Sequence, residues 1–343
     1  MSGGRPLRGT VCVICLGLLV WVLLVPQSAV AQRARAQGDL ATGGSAGTDS
    51  SYIDAPPLPG PDIRQALRFH LESEFVPGAD FDPGTVDLYA PAMRGMVTLP
   101  INDRAVARLA LRLGMSRYRF SDRTPFDTLD DPLDLYTTRL TLSGAYQLTR
   151  DDWSGLVEDE AWSLVGSVFA QSNWEDSQFV EGGSSGVALG VGYRIPGRLQ
   201  LALGGVVRTR LDEGGADFGP FGSFRLKLAK RLVLRDRGLG AMIEYRAHRK
   251  VEVYASFYRT SDSFRLMDRF GEDDVTFRDR RWLGGAGVEY RFNRYLRAKF
   301  EAGAVASRKI RVNSDDFGGD FFEESSDPSP YFDLRFEIRP GGR

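Results

Sequence analysis

The stretch RWLGGAGVEYRFNRYLRAKFEAGAVASR, residues 281–308, decides the fold that we expect of this chain. Two arms flank a short turn at Asn293-Arg294, and residue character alternates along both arms. The apolar faces hold Trp282, Gly284, Ala286, Val288, Tyr290 and Phe292, then Leu296, Ala298, Phe300, Ala302, Ala304 and Ala306. The other faces hold Arg281, Leu283, Gly285, Gly287, Glu289 and Arg291, then Arg297, Lys299, Glu301, Gly303, Val305 and Ser307. Because side chains alternate across a strand, this pattern predicts a hairpin with one apolar and one charged face.

Each arm is longer than the roughly 9–11 residues that a tilted strand needs to cross a bilayer. Aromatic residues lie near the ends of the apolar faces, where a membrane barrel has its girdles. A soluble β-sandwich or lipocalin-like barrel also alternates, with its apolar residues turned inward. Small residues among the charges, and the recurrence of such hairpins along the chain, favour the membrane barrel.

Fourteen strands are predicted between residue 65 and the last strand, Tyr331 to Ile338, with twelve as the fallback if the stretch from Phe221 to Arg246 forms fewer. Val86 to Leu99 is the least regular strand because Pro91 interrupts it. Short turns are expected near residues 102–103, 149–153, 195–198, 247–250 and 293–294, and long loops near 121–134, 174–185, 211–218, 260–274 and 313–329. Short turns on one side, long loops on the other and an even strand count are typical of an antiparallel up-and-down barrel of the bacterial outer membrane, with both chain ends in the periplasm.

The first 31 residues predict a cleaved secretory signal peptide. Arg5 and Arg8 form a positive region, residues 11–25 an apolar core, and Ala29-Val30-Ala31 a cleavage site. This signal indicates export across the inner membrane.

Both cysteines, Cys12 and Cys15, lie within that core. The mature chain therefore has no thiol for catalysis, a disulfide or a metal. Residues 32–64 are rich in Gly, Ala, Ser and Pro, which predicts a flexible spacer. The barrel domain is expected over residues 65–343.

Charged residues support the choice of faces. An Arg facing lipid at mid-membrane costs roughly 2–4 kcal/mol. Inverting the strands would put in lipid a set of ten: Arg112, Arg139, Glu244, Glu252, Glu289, Arg297, Lys299, Glu301, Asp333 and Arg335. That cost exceeds the roughly 5–15 kcal/mol net stability of a domain. The last three strands predict a lumenal ion-pair network of Glu289, Arg297, Lys299, Glu301, Asp333 and Arg335, which we interpret first as the filling of a barrel interior.

The sequence shows no established catalytic or metal-binding pattern. The formal net charge of −1 gives no basic field for nucleic acid, and no nucleotide-loop, HExxH or zinc spacing occurs. His70 and His248 lie far apart in the sequence, so a lipid-modifying enzyme is the weakest hypothesis. The acidic stretch Asn313 to Asp327 fits a solvated loop better than a Ca²⁺ site, because its spacing is not that of an EF-hand. We expect no cofactor and no metal.

Three stretches carry a resemblance to a known family: VTFRDRRWLGGAGVEYRF at 275–292, RFHLESEFVPG at 68–78 and PYFDLRFEI at 330–338. There the chain resembles an uncharacterised bacterial family known only as a domain of unknown function, which looks like an outer-membrane barrel. The resemblance implies an architecture and a compartment, but no activity or site residues. The chain departs from the usual assembly signal, a terminal aromatic, because residues 339–343 follow Ile338.

Three functions follow from these patterns. The first is a narrow pore or transporter for small solutes, because 12–14 strands lie between filled 8-stranded barrels and open channels of 16–18 strands. The alternative is a structural or interaction barrel whose long loops bind a partner or a surface polymer. The third is the lipid-modifying enzyme. Expected partners are outer-membrane lipid, surface glycolipid, the barrel assembly machinery during biogenesis and small solutes.

Overall fold

The computed structural model describes residues 66–81, 84–102, 104–121, 129, 132–148, 161–175, 179, 182–195, 197–209, 215–266, 275–314 and 319–340. The predicted signal peptide and spacer lie outside these residues. Every regular element in the described part of the chain is a strand. No helix there has the length and hydrophobicity needed to cross a membrane.

Fifteen strand segments follow one another along the chain. They are β1 Ala66–Asp80, β2 Thr85–Asn102, β3 Ala105–Ser121, β4 Leu133–Gln147, β5 Ala161–Glu175, β6 Gly183–Ile195, β7 Leu199–Thr209, β8 Ala216–Ala229, β9 Leu232–Asp236, β10 Leu239–Tyr245, β11 Val251–Arg265, β12 Val275–Arg291, β13 Leu296–Ser314, β14 Gly319–Ser326 and β15 Ser329–Ile338.

The sheet closes into a barrel of fourteen antiparallel strands. Each strand from β1 to β13 pairs with the next, and β15 pairs with both β13 and β1. The segments β14 and β15 are successive partners of β13, pairing with 308–314 and 296–305 respectively, so together they form the fourteenth strand. The predicted fold class and strand count are confirmed.

Alternation along each strand separates a lumenal from an outer face, as the sequence predicts. On β3, for example, Val106 and Ala110 are buried inside, whereas Leu109, Leu111 and Leu113 are exposed outside. The outer face carries many large exposed apolar side chains, Leu189 at 68% among them. Such a surface suits lipid, because soluble proteins rarely expose large apolar patches.

Three details of the predicted strands are wrong. The Pro77-Gly78 pair predicts that the first strand ends there, but it forms a bulge in β1 in which Gly78 has φ +49°, and the strand continues to Asp80. β2 runs through Pro91, and only its pairing with β3 lapses there. On β13 a bulge shifts the register, so Ser307 is exposed and Arg308 faces the lumen instead.

The predicted loop lengths also need correction. β11 extends to Arg265, β8 begins at Ala216, and most of 313–329 is strand, so three loops are shorter than predicted. The connection between β4 and β5 spans residues 148–160 and is longer than the predicted turn. Strands of up to 19 residues exceed the roughly 9–11 needed to cross a bilayer, so part of the predicted loop sequence continues the barrel wall.

The two ends of the barrel differ in their interior. We call the end that holds Ala66 and Ile338 the terminal end, and the other the loop end. At the loop end, apolar side chains that are 0–5% exposed fill the space between β1–β4, β11–β13 and β15. This loop-end core consists of Val76, Ala79, Phe81, Val86, Leu88, Tyr118, Phe120, Leu129, Leu133, Leu135, Tyr258, Phe264, Leu266, Val275, Phe277, Leu283, Val305, Ile310, Val312 and Tyr331.

Candidate functional site

The six residues of the predicted ion-pair network all face the lumen, in two groups. In the first, Glu289 is buried and lies 3.1 Å from Arg297 and 3.2 Å from Lys299. Arg291 completes this group at 3.1 Å from the same carboxylate. Residues of two neighbouring strands, β12 and β13, thus surround one buried carboxylate near the terminal end.

The second group contains Glu301, Asp333 and Arg335. Nε of Arg335 donates to Oδ2 of Asp333 at 2.8 Å. Glu301 accepts hydrogen bonds from Ser256 at 2.7 Å and from Tyr331. Each buried carboxylate has several donors, as a carboxylate removed from bulk water requires.

Arg237 joins these two carboxylates, and the sequence did not indicate it. It forms an ion pair with Glu301 and lies 3.5 Å from Asp333. Its guanidinium also lies 3.9 Å from the ring centroid of Tyr258. Because Arg237 lies in the two-residue turn between β9 and β10, no strand alternation assigns it to a face.

A further buried ion pair lies inside the loop-end core. Arg308 and Asp279 are both 0% exposed, and Arg308 donates to the two carboxylate oxygens at 3.2 and 3.0 Å. The Tyr118 hydroxyl donates to Asp279 at 3.0 Å. Arg281 adds ion pairs with Glu74 and, at 3.0 Å, with Asp262. The core is therefore cross-linked by charge as well as filled.

The barrel wall is incomplete between the β9–β10 hairpin and the loop end. β9 has five residues and β10 seven, fewer than the roughly 9–11 that span a bilayer. β9 pairs with β8 only from Arg225 onward, and β10 pairs with β11 only up to Arg259. Among the described pairings, the edges of β8 and β11 beyond these points do not join each other. We call this the side opening.

At the side opening, two features of β8 reduce the number of backbone N–H groups left without an acceptor. The amide of Phe224, which points toward the missing strand, donates to Oδ1 of Asp236 at 2.9 Å. Pro220 is four residues earlier and so has its nitrogen on the same edge, where it has no N–H to leave unpaired. On the outer face, Phe218 is 73% exposed, so this edge lies within the apolar band.

The edge of β11 turns inward instead. Arg265 pairs with Trp174 of β5 in a parallel bridge, and the Asn173 amide donates to the Ser263 carbonyl at 2.8 Å. This contact closes the loop end of β1–β5, β11–β13 and β15 into a ring around the core. Three segments lie outside this ring and border the side opening: β6, β7 and residues 216–224 of β8. We call them the flap.

The inner surface of this flap is apolar. A second cluster of buried side chains runs from β3 to β8: Val106, Ala145, Val165, Phe169, Ala188, Ala202, Val206 and Phe221. The Phe221 ring lies against Gly190 and Gly204, where any Cβ would collide with it. The Phe221 ring therefore packs directly on the backbone of the neighbouring strands.

On the side of the lumen opposite the flap, three arginines form a row across β2, β3 and β4. Arg94 on β2, Arg112 on β3 and Arg139 on β4 are direct cross-strand neighbours. Arg112 also forms an ion pair with Glu72 at 2.7 Å, yet its side chain is 45% exposed. Since this side chain faces inward, the lumen is accessible to water at this height.

The remaining sequence hypotheses meet different outcomes. His70 faces the lumen between Arg94 and Glu337, and His248 lies in the exposed turn between β10 and β11, so neither lies on the outer wall that a lipid hydrolase would use. In the acidic stretch, Glu323 forms ion pairs with Lys309 at 2.5 Å and Arg311 at 3.6 Å. Asp315 and Asp316 lie outside the described residues. Within the described part, no three His, Cys, Asp or Glu side chains are grouped as a metal site requires.

Strand pairing, closure and the outward apolar face together define the class: the chain is a β-barrel of the bacterial outer-membrane kind. No protein-family model and no curated protein sequence matches it. It is similar to a solved outer-membrane channel from Pseudomonas putida F1, with 10% identity, TM-score 0.43, 82% of this chain and 100% of that chain covered. A FadL homologue from Pseudomonas aeruginosa gives 10% identity, TM-score 0.35 and coverages of 84% and 91%. The P. putida toluene transporter TodX gives 10%, 0.33, 82% and 90%.

Proposed function

We propose that this barrel is a narrow outer-membrane transporter for small, largely apolar solutes. In this proposal the terminal end faces the periplasm. Solutes move between the periplasmic lumen and the outer leaflet through the side opening. The observation that carries the proposal is the combination of a filled loop-end core with a wall that stops at the β9–β10 turn.

Passage along the barrel axis is disfavoured by packing. The loop-end core is 0–5% exposed and holds the Arg308–Asp279 pair, so a route through it would require repacking of well-filled space. The side opening needs no such change. Its nearest inner surface includes Phe169, Val206 and Phe221, and this surface favours apolar solutes.

The route is testable with cysteine labelling, since the predicted mature chain contains no cysteine. Gly219 faces the lumen on the part of β8 that pairs with β7 but has no partner on the side of the opening. Leu203 faces lipid on β7, which pairs with a strand on both sides. In cells making the full chain, we expect Gly219→Cys to react with thiol reagents and a bulky adduct there to slow entry of the apolar fluorescent probe N-phenyl-1-naphthylamine severalfold. The same adduct on Leu203→Cys should leave entry unchanged.

The labelling experiment has two outcomes that count against the proposal. If Gly219→Cys reacts and its adduct leaves probe entry unchanged, the route does not pass the side opening. If cells making the wild-type protein take up the probe no faster than cells without it, there is no transport of this class. The filled core would then favour the second candidate, a structural or interaction barrel, which contains no passage.

Membership of the uncharacterised family, cleavage of the signal peptide, and contacts with surface glycolipid and the assembly machinery stay predictions. Fractionation of the expressing cells tests the compartment directly. A mature amino terminus at Gln32 in the outer-membrane fraction is the expected result.

A further inference from the structure

A basic cavity opens at the terminal end of the barrel, away from the side opening. It has a volume of about 270 Å³ and lies between the β6–β7 turn, the β8–β9 turn and the first residues of β11. Six exposed basic residues line it: Arg198, Arg225, Lys227, Lys230, Arg231 and Arg246. In a chain with a net charge of −1, this is a local concentration of positive charge.

The acidic residues of the cavity are already engaged. Glu244 lies 2.6 Å from Arg235, and Glu252 lies 2.9 Å from Arg291 and 4.0 Å from Arg246. By contrast, within the described part of the chain the five basic residues other than Arg246 form no ion pair with any carboxylate. No carboxylate among the described residues therefore neutralises their charge.

Strand geometry explains why these charges are close together. Arg225 and Lys227 are two residues apart on β8 and so share its lumenal face. Lys230 and Arg231 form the turn that follows, and Arg198 lies in the neighbouring turn, whose carbonyl accepts from the Lys227 amide at 2.8 Å. Two tight turns and one strand face thus direct their cations into a single concave space.

From this geometry we propose that the cavity binds a compact anion with two or more negative charges, such as a phosphate ester or a polycarboxylate. Arginine and lysine together provide forked and single N–H donors for carboxylate or phosphate oxygens. A single negative charge would leave most of the cations unmatched. The small volume suits a compact ligand.

The test uses the full-length protein in detergent and pyrophosphate as the probe. Isothermal titration at constant ionic strength should give saturable 1:1 binding to the wild type. Arg225→Gln with Lys227→Gln should weaken that binding at least tenfold. Arg249→Gln with Lys250→Gln is the matched control, because it removes the same charge from an exposed turn at the same end and should change binding less than twofold.

Competition distinguishes anions with several negative charges from anions with one. Citrate should displace pyrophosphate, whereas acetate at the same ionic strength should not. The mobility of unheated protein on a gel confirms that each variant is folded before titration. Absence of saturable binding to the wild type, or equal weakening in both double variants, would overturn the inference. Neither result depends on transport, so the proposed function stands or fails separately.

Discussion

At the scale of single residues, the buried pair of Arg308 and Asp279 shows what the interior requires. Removing one member of a buried pair leaves an uncompensated charge, at a cost of about 3–5 kcal/mol. We therefore expect Asp279→Leu to lower the free energy of unfolding by about that amount. Adding Arg308→Met should restore much of the loss, because an apolar pair of similar volume needs no desolvation. Urea titration in lipid vesicles measures both.

An exposed ion pair provides the control for this prediction. Arg117 and Asp134 lie 2.7 Å apart at the loop end, with side chains that remain partly in water. Arg117→Met should leave the unfolding midpoint unchanged within error. If the double variant with Asp279→Leu and Arg308→Met is no more stable than Asp279→Leu alone, the loss of stability does not come from the unpaired Arg308 charge.

Glycine packing gives a second prediction at this scale. A Cβ at Gly204 would collide with the Leu189 carbonyl and the Phe221 ring, whereas at Gly95 the nearest atom is 3.6 Å away on Phe69. Gly204→Ala should therefore cost about 1–3 kcal/mol of stability, as overpacking does. Gly95→Ala should cost far less in the same urea titration. Equal effects would mean that the Phe221 ring does not lie on the wall as described.

Residue patterns predicted these sites unequally. Alternation assigned Glu289, Lys299 and Glu301 to the lumen because they lie within regular strands. It could not assign Arg237, which lies in a turn and reaches Glu301 across 64 positions of sequence. Ser307 was placed on the wrong face because the bulge beside it inserts a residue without any local sequence signal.

At the scale of the strand elements, the short β9–β10 hairpin decides the shape of the wall. The sequence indicated only that residues 221–246 were irregular. It could not show that β8 would be left with a free edge, because an edge depends on the partner strand and not on the strand itself. Pro220 was the one local signal available, since proline in a sheet is largely confined to edges and bulges.

Asp236 offers the test of that edge. Asp236→Ala removes the acceptor for the Phe224 amide and for the Ser223 hydroxyl, which lie 2.9 and 3.0 Å away. An amide left unsatisfied costs about 1–3 kcal/mol. We expect faster hydrogen exchange at Phe224 and its neighbours on β8, with exchange on β12 unchanged. Unchanged exchange at Phe224 would mean that another group covers the edge.

At the scale of the whole molecule, the outward direction of the apolar face determines which side chains meet lipid and which line the lumen. Predicting it from sequence was possible because ten charged residues share one face, and no other arrangement keeps all of them out of lipid. The filling of the loop end was not predictable in the same way. Val76, Tyr118 and Phe277 are apolar residues on the lumenal face, and nothing in the alternation shows that they meet across the barrel.

A pair of substitutions on β7 tests this orientation. Leu203 lies near the middle of the strand on the outer face and is 56% exposed, whereas Gln200 faces the lumen and is half-buried. An arginine at a lipid-facing midplane position costs about 2–4 kcal/mol, so Leu203→Arg should lower the free energy of unfolding by that amount. Gln200→Arg should cost less than Leu203→Arg, because its cation lies at the water-accessible basic cavity, where repulsion from the other cations is screened, and not in lipid. If the two effects were reversed in lipid vesicles, Leu203 would point into a soluble core, and the membrane barrel would be the wrong description of this chain.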